Sequence, residues 1–217
     1  MQLVSVNIGK AQPINAKSGK SGIFKQPVTM PVDITRLGLV GDEIVDTENH
    51  GGLDQAVYVF GTPDYDWWAK ELGREMPPGI FGENLTITEL ESQLYQIGDR
   101  LRVGEVLLEV TSPRIPCVTL ATRMNDPKFV KRFAKAERFG LYCRVIEPGT
   151  VQVGDSVSVI RYRGETITAL EMFRLFYNQQ YTIDIVRKAL AAPLHQGTRR
   201  DYEEILMALE ADAEESG

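Results

Sequence analysis

The sequence predicts a mainly β protein with interspersed short helices: a closed or half-closed β-barrel over residues 1–164 and a C-terminal three-helix domain over residues 165–217. Three observations carry that expectation. Short runs rich in β-branched and aromatic residues recur up to about residue 163, and such residues suit a pleated, half-buried surface. Glycine and proline steps separate the runs, as in a sheet of many short strands wrapped into a barrel. Beyond residue 164 the pattern turns to amphipathic segments with recognisable caps.

The first run, LVSVNI at 3–8, alternates with period two, which places every second side chain on one face. QAVYVF, LRVGEVLLEV, LYCRVI and SVSVI read as further strands, with turns at Gly41-Asp42, Gly98-Asp99, Pro148-Gly149 and Gly154-Asp155. TPDYDWWAKELG interrupts them as a helix, with Thr62 as N-cap, Pro63 at the first position and Gly73 to close it. Residues 117–124 and 127–137 predict two short helices directly after Cys117. Farther on, Thr168 and Glu171 form a capping-box pattern, Thr182 caps IDIVRKALAA, and TRRDYEEILMALEADAEE forms a third amphipathic helix. Three such helices bury little alone. They are expected to dock on the barrel or on a second subunit, which allows a homodimer, and to be separable from the chemistry.

The balance of 24 Lys+Arg against 30 Asp+Glu, a net charge of −6, argues against a binder of nucleic acid polymers. No run approaches the roughly 20 apolar residues of a membrane span. MQLVSVNIGK has none of the features of an export signal, and the chain has two cysteines, Cys117 and Cys143. A cytoplasmic protein with reduced thiols and no membrane association is expected.

TSPRIPC, at 111–117, raises the chemical question. Its prolines restrain the backbone, and Arg114 precedes Cys117 closely enough to favour a thiolate. A following helix N-terminus would favour it further. Such a sulfur suits a nucleophile, a metal ligand or an inert strand exit. KSGKSGIFK presents Lys17, Ser21, Gly22 and Lys25, an anion cradle or a solvated basic loop. Its GKS is not a phosphate-binding P-loop, because Ile14 stands where that pattern needs glycine. HGGLDQAVY offers His50, Gly51, Gly52, Asp54 and Gln55 at a strand entrance, and GIFGENLTI offers Gly82, Glu83 and Asn84; both suit a pocket mouth. With no C-x-x-C and no paired histidines, zinc is not expected.

These stretches, with GLVGDEIVDTENHGGLDQAVYVF, GDRLRVGEVLLEVTSPRIPC and GLYCRVIEPGTVQVGD, resemble the MOSC domain family, named for the C-terminal domain of molybdenum cofactor sulfurase. The likeness is to its YiiM type, the hydroxylaminopurine-resistance proteins. It runs over about residues 1–163, and the tail resembles that type's three-helix appendage. The resemblance implies a MOSC-type β-barrel that binds the molybdenum cofactor, with Cys117 as the thiolate ligand of the metal. It implies two-electron reduction of small N-hydroxylated substrates, such as N-hydroxylated purines and related base analogues, as a detoxification. Arg114 and Arg144 then join the loops at 17–25, 50–55 and 82–84 as cofactor-binding residues. Asp54, His50 or Tyr142 would supply the proton. Without an iron–sulfur cysteine cluster or a dinucleotide fingerprint, the chain would take electrons from a separate flavin or iron–sulfur reductase. A non-enzymatic carrier of the cofactor or of sulfur through Cys117, and a binding module with a structural Cys117, remain alternatives.

Overall fold

The computed structural model describes residues 1–16, 18–47 and 50–215. β1 (Leu3–Ile8), β2 (Gln12–Pro13), β3 (Lys20–Ser21), β4 (Gln26–Val28), β5 (Val32–Thr35) and β6 (Gly38–Leu39) come first. β7 (Val57–Gly61) runs into α1 (Thr62–Leu72), and β8 (Leu85–Ile87) returns beside it. β9 (Arg100–Val103) and β10 (Val106–Pro113) precede α2 (Val118–Met124) and α3 (Phe129–Ala136). β11 (Leu141–Glu147), β12 (Gly149–Val151) and β13 (Val157–Ile160) complete the strands, and α4 (Ala169–Asn178), α5 (Ile183–Ala191) and α6 (Gln196–Glu215) follow.

Eight strands form one mixed sheet in the order β13-β9-β10-β11-β7-β8-β1-β4, antiparallel except for the β7/β8 pair. The crossover through α1 makes that pair parallel, as a strand–helix–strand connection must. The sheet curls back on itself without a continuous closing ladder. A single bridge, Gln2 to Ser156, and the bonds Leu3 N–H to Asp155 O (2.9 Å) and Val157 N–H to Met1 O (3.0 Å) draw the starts of β1 and β13 together. Of the two expected outcomes, the half-closed barrel is the one observed.

An aromatic cluster carries the helices that flank the sheet. Trp68 on α1 lies 5.0 Å from Phe129 and 5.6 Å from Phe133 on α3, while Phe60 of β7 stacks on Phe81 at 4.5 Å. Each such ring buries a large apolar area. This cluster also fixes the Phe81 carbonyl, which reappears below as a partner of Arg114.

Helix starts differ from the sequence expectation: α2 and α3 begin at Val118 and Phe129 rather than at 117 and 127. Gly61, not Thr62, caps α1, and Thr62 is already helical. A Cβ at Gly61 would stand 1.6 Å from the Leu90 carbonyl oxygen, so close strand packing places a glycine at the cap. α6 begins at Gln196, two residues before Thr198, because a distant carboxylate receives its first N–H: Gln196 N–H donates to Asp54 Oδ2 at 2.7 Å. The Thr168–Glu171 capping box and the Thr182 cap form as the sequence predicts. Phe173 of α4 stacks on Phe139 at 4.6 Å, which docks that helix against the strand region. No helix among the described residues is long and apolar enough to cross a membrane.

Candidate functional site

A cleft opens where the loop after β3, the turn before β7, the segment before β8 and the start of α2 converge. Cys117 sits there as the N-cap of α2, extended at φ −121° and ψ 171°, so the restrained TSPRIPC segment delivers its sulfur to a helix N-terminus. Burial alone would raise its thiol. A hydrogen bond from His50, the Arg114 charge and the Leu120 N–H outweigh that and bring the thiol down to about 6. At neutral pH it is a thiolate. Cys143, fully buried on β11, has its thiol pushed up by burial instead.

Arg114 is 4% exposed and held on two sides. Its Nη1 donates to the Phe81 carbonyl, and its guanidinium carbon lies 5.0 Å over the Tyr58 ring. Its Nε is buried with no partner among the described residues. Tyr142 completes this wall, its hydroxyl 3.4 Å from His50 Nδ1, and burial raises its phenol. Cys117, His50, Tyr142 and Arg114 are thus brought into one constellation.

The polar loops divide. Ser21, Gly22, Lys25, Gly51, Gln55, Gly82 and Asn84 line the cleft. Gly22 is there because a Cβ would stand 1.8 Å from the Glu43 carbonyl oxygen. Gln55 Oε1 is buried without a partner among the described residues. Lys25 is not a free cation: its Nζ meets both Asp42 oxygens at 2.6 and 2.5 Å, and burial lowers its ammonium pKa despite that partner. Lys20 of the same loop lines the cleft, and Lys17 lies outside the described residues. Gly52 is exposed and off the cleft lining.

Three expected site residues stand behind the cleft. Glu83 is fully buried, and four donors converge on its Oε1: Tyr65 OH (2.5 Å), Gly79 N–H (2.6 Å), Thr86 Oγ1 (2.9 Å) and Asn7 Nδ2 (3.5 Å). It braces the loop that ends in Asn84. Asp54 and Arg144 form an ion pair of 3.0 Å, and both reach the segment ahead of α6 rather than the cleft. Neither a proton from Asp54 to a cleft ligand nor a cofactor contact by Arg144 fits that placement.

Asp42 is one cleft residue that sequence reasoning missed, as it missed Tyr58 and Thr119. It accepts from Gly9 N–H at 2.7 Å and Asn84 Nδ2 at 2.9 Å as well as from Lys25. Its Gly-Asp step reads as a turn, and the turns at Asp99 and Asp155 do use their aspartates locally. No local signal marks it, because Lys25 and Asn84 lie 17 and 42 positions away.

The Glu83 arrangement makes a pH prediction. Burial raises its carboxyl pKa above the ordinary 4.5, so the folded chain holds this proton more tightly than the unfolded one. Its contribution to stability is therefore present below about 4.5 and is lost as pH rises through the folded value. Glu83→Gln keeps Oε1 as an acceptor and removes the titration. Urea unfolding should show a smaller fall in stability as pH rises above about 4.5 for this variant than for the parent chain.

The chain belongs to the MOSC domain family: the model of that domain matches residues 46–158. Within the family it is of the YiiM type. The protein YiiM of Escherichia coli K12 is 30% identical over 193 residues, covering 87% of this chain and 85% of that protein. The crystal structure of YiiM from Geobacillus stearothermophilus superposes with a TM-score of 0.79 at 25% identity, covering 94% and 98% of the two chains. A protein of Gibberella moniliformis named "Reductase" is 31% identical over 183 residues, 80% of this chain but 32% of that protein. Membership associates the chain with the molybdenum cofactor, as the resemblance implied.

Proposed function

We propose that the protein binds the molybdenum cofactor in this cleft and reduces small N-hydroxylated compounds, N-hydroxylated purines among them, to the corresponding amines. The observation that carries the reading is the single activated thiolate, Cys117, set between His50, Arg114 and a helix N-terminus. One soft protein ligand suffices for a metal whose other ligands belong to a pterin. The cleft also suits an anionic, hydrogen-bonding group: Arg114 Nε and Gln55 Oε1 are buried without partners among the described residues, and Asn84 and Ser21 line the same cleft. When bound, the cofactor would supply the two-electron redox chemistry.

The chain's own residues would do the rest. Cys117 would hold the metal, and Arg114 would balance the anionic charge. His50 and Tyr142, 3.4 Å apart, would hold the proton that the departing oxygen needs. Asp54, turned away behind the loop, is left out of that role. Electrons would come from a separate flavin or iron–sulfur reductase. A cytoplasmic location is the setting in which such a partner and a reduced thiol coexist.

The test is to purify the full chain from a host that makes the cofactor. Molybdenum and pterin should co-purify in equal amounts, and the loaded protein should convert an N-hydroxylated purine to its amine with an artificial reductant. Loading without turnover would leave the carrier reading standing. Protein free of both metal and pterin would sink the proposal.

A further inference from the structure

We propose that Asp54 is a positioning residue that ties His50 to the helical appendage, so the appendage helps form the site. This rests on the reading of Cys117 and His50 as a working pair. Gly51 and Gly52 follow His50 with φ of +78° and +74°, and such a turn has no intrinsic stiffness. What stops it is the single turn of 3₁₀-helix at Leu53–Gln55. Asp54 anchors that turn at three atoms. Its backbone oxygen accepts from Thr111 Oγ1 at 2.6 Å, Oδ1 meets Arg144 Nη2 at 3.0 Å, and Oδ2 receives Gln196 N–H at 2.7 Å.

Each of those partners is itself fixed to the segment that joins α5 to α6. Arg144 Nη2 also donates to the carbonyls of Pro193 (3.1 Å) and Leu194 (2.7 Å), and His195 N–H donates to Thr111 O at 3.3 Å. The Asp54 carboxylate therefore caps a helix 142 positions away in sequence, where the helix dipole and the free N–H both favour an anion. Arg144 and Tyr142 stand two residues apart on β11, on the same face of that strand. The turn that carries His50 is thus clamped to the strand that carries Tyr142 by the Asp54–Arg144 pair, and appendage backbone at Pro193, Leu194 and Gln196 braces both side chains of that pair. The separation of helices from chemistry expected from the sequence does not follow from this geometry.

The test uses the full-length, cofactor-free chain and reads the rate of Cys117 alkylation by iodoacetamide at pH 6. The buried Cys143 serves as an unreactive internal control. His50→Ala removes the hydrogen bond that favours the thiolate and should slow alkylation about tenfold. Asp54→Ala should slow it toward the same rate, and the double variant should be no slower than His50→Ala, because both changes act through one contact. Asp54→Asn keeps an acceptor for Gln196 N–H and should give an intermediate rate, which tests the idea even if the alanine variant does not fold. Arg174→Ala breaks an exposed appendage ion pair to Glu137 and should leave the rate unchanged. A folded Asp54 variant with an unchanged or faster rate, additive effects with His50→Ala, or an equal slowing in Arg174→Ala overturns the proposal. An unchanged rate in His50→Ala would instead overturn the pair on which it rests.

Discussion

Cys117→Ser is expected to abolish reduction of N-hydroxylated purines and to strip molybdenum from the protein while leaving its unfolding midpoint nearly unchanged. Serine offers a hard hydroxyl that stays protonated where the thiol, near 6, is ionised. The change removes the soft ligand but almost no volume. The half-buried sulfur also has water within reach to replace its contacts. Cys143→Ser should behave in the opposite way. That residue is fully buried on β11 among core side chains, and an unpartnered hydroxyl there costs roughly 1–3 kcal/mol. Its folded fraction should still hold metal and turn over. Metal analysis, turnover and urea unfolding on both variants check the pair; loss of metal from Cys143→Ser with retention in Cys117→Ser would move the ligand.

The contrast between the two cysteines shows what a sequence can carry. Cys143 alternates within LYCRV, so period two alone places it inward. Cys117 is marked by local chemistry, two prolines and an arginine, and the structure turns these into an N-cap beside a cation. Helix caps such as Thr168 and Thr182 were legible for the same reason, because donor and acceptor lie three residues apart. Illegible features span long separations. Asp54 looked like a pocket carboxylate because it follows His50 closely, yet its partners are Arg144 and Gln196. No local pattern announces a cap supplied across the barrel. How far the barrel closes was equally out of reach, since it depends on the lone bridge between Gln2 and Ser156 and not on any strand's own pattern.

Lys25 illustrates the same limit and sets the last prediction. Read locally, it is one of the cations of a phosphate cradle, and its loss should cost a charge-assisted contact of roughly 1.5–3 kcal/mol to the ligand. In the structure its side chain is 8% exposed and that of its partner, Asp42, 5% exposed. Both Asp42 oxygens are already engaged with Nζ, while Gly9 and Asn84 hold the same carboxylate from other loops. Removing the lysine alone leaves a buried, uncompensated charge, a loss of about 3–5 kcal/mol. Lys25→Met should therefore destabilise the apoprotein by about that amount and lose molybdenum as well, because the loops at residues 9, 42 and 84 come apart together. Lys25→Met with Asp42→Asn removes both charges and keeps an acceptor oxygen for Gly9 N–H, at the cost of the one that Asn84 Nδ2 uses. Most of the stability should return. If Lys25 serves the cleft as a pillar, molybdenum retention returns with it, since the phosphate contact was never its task. Restored stability without restored molybdenum would show instead that the ammonium leaves Asp42 for the cofactor's phosphate, and that the local reading of the basic loop was right about this residue.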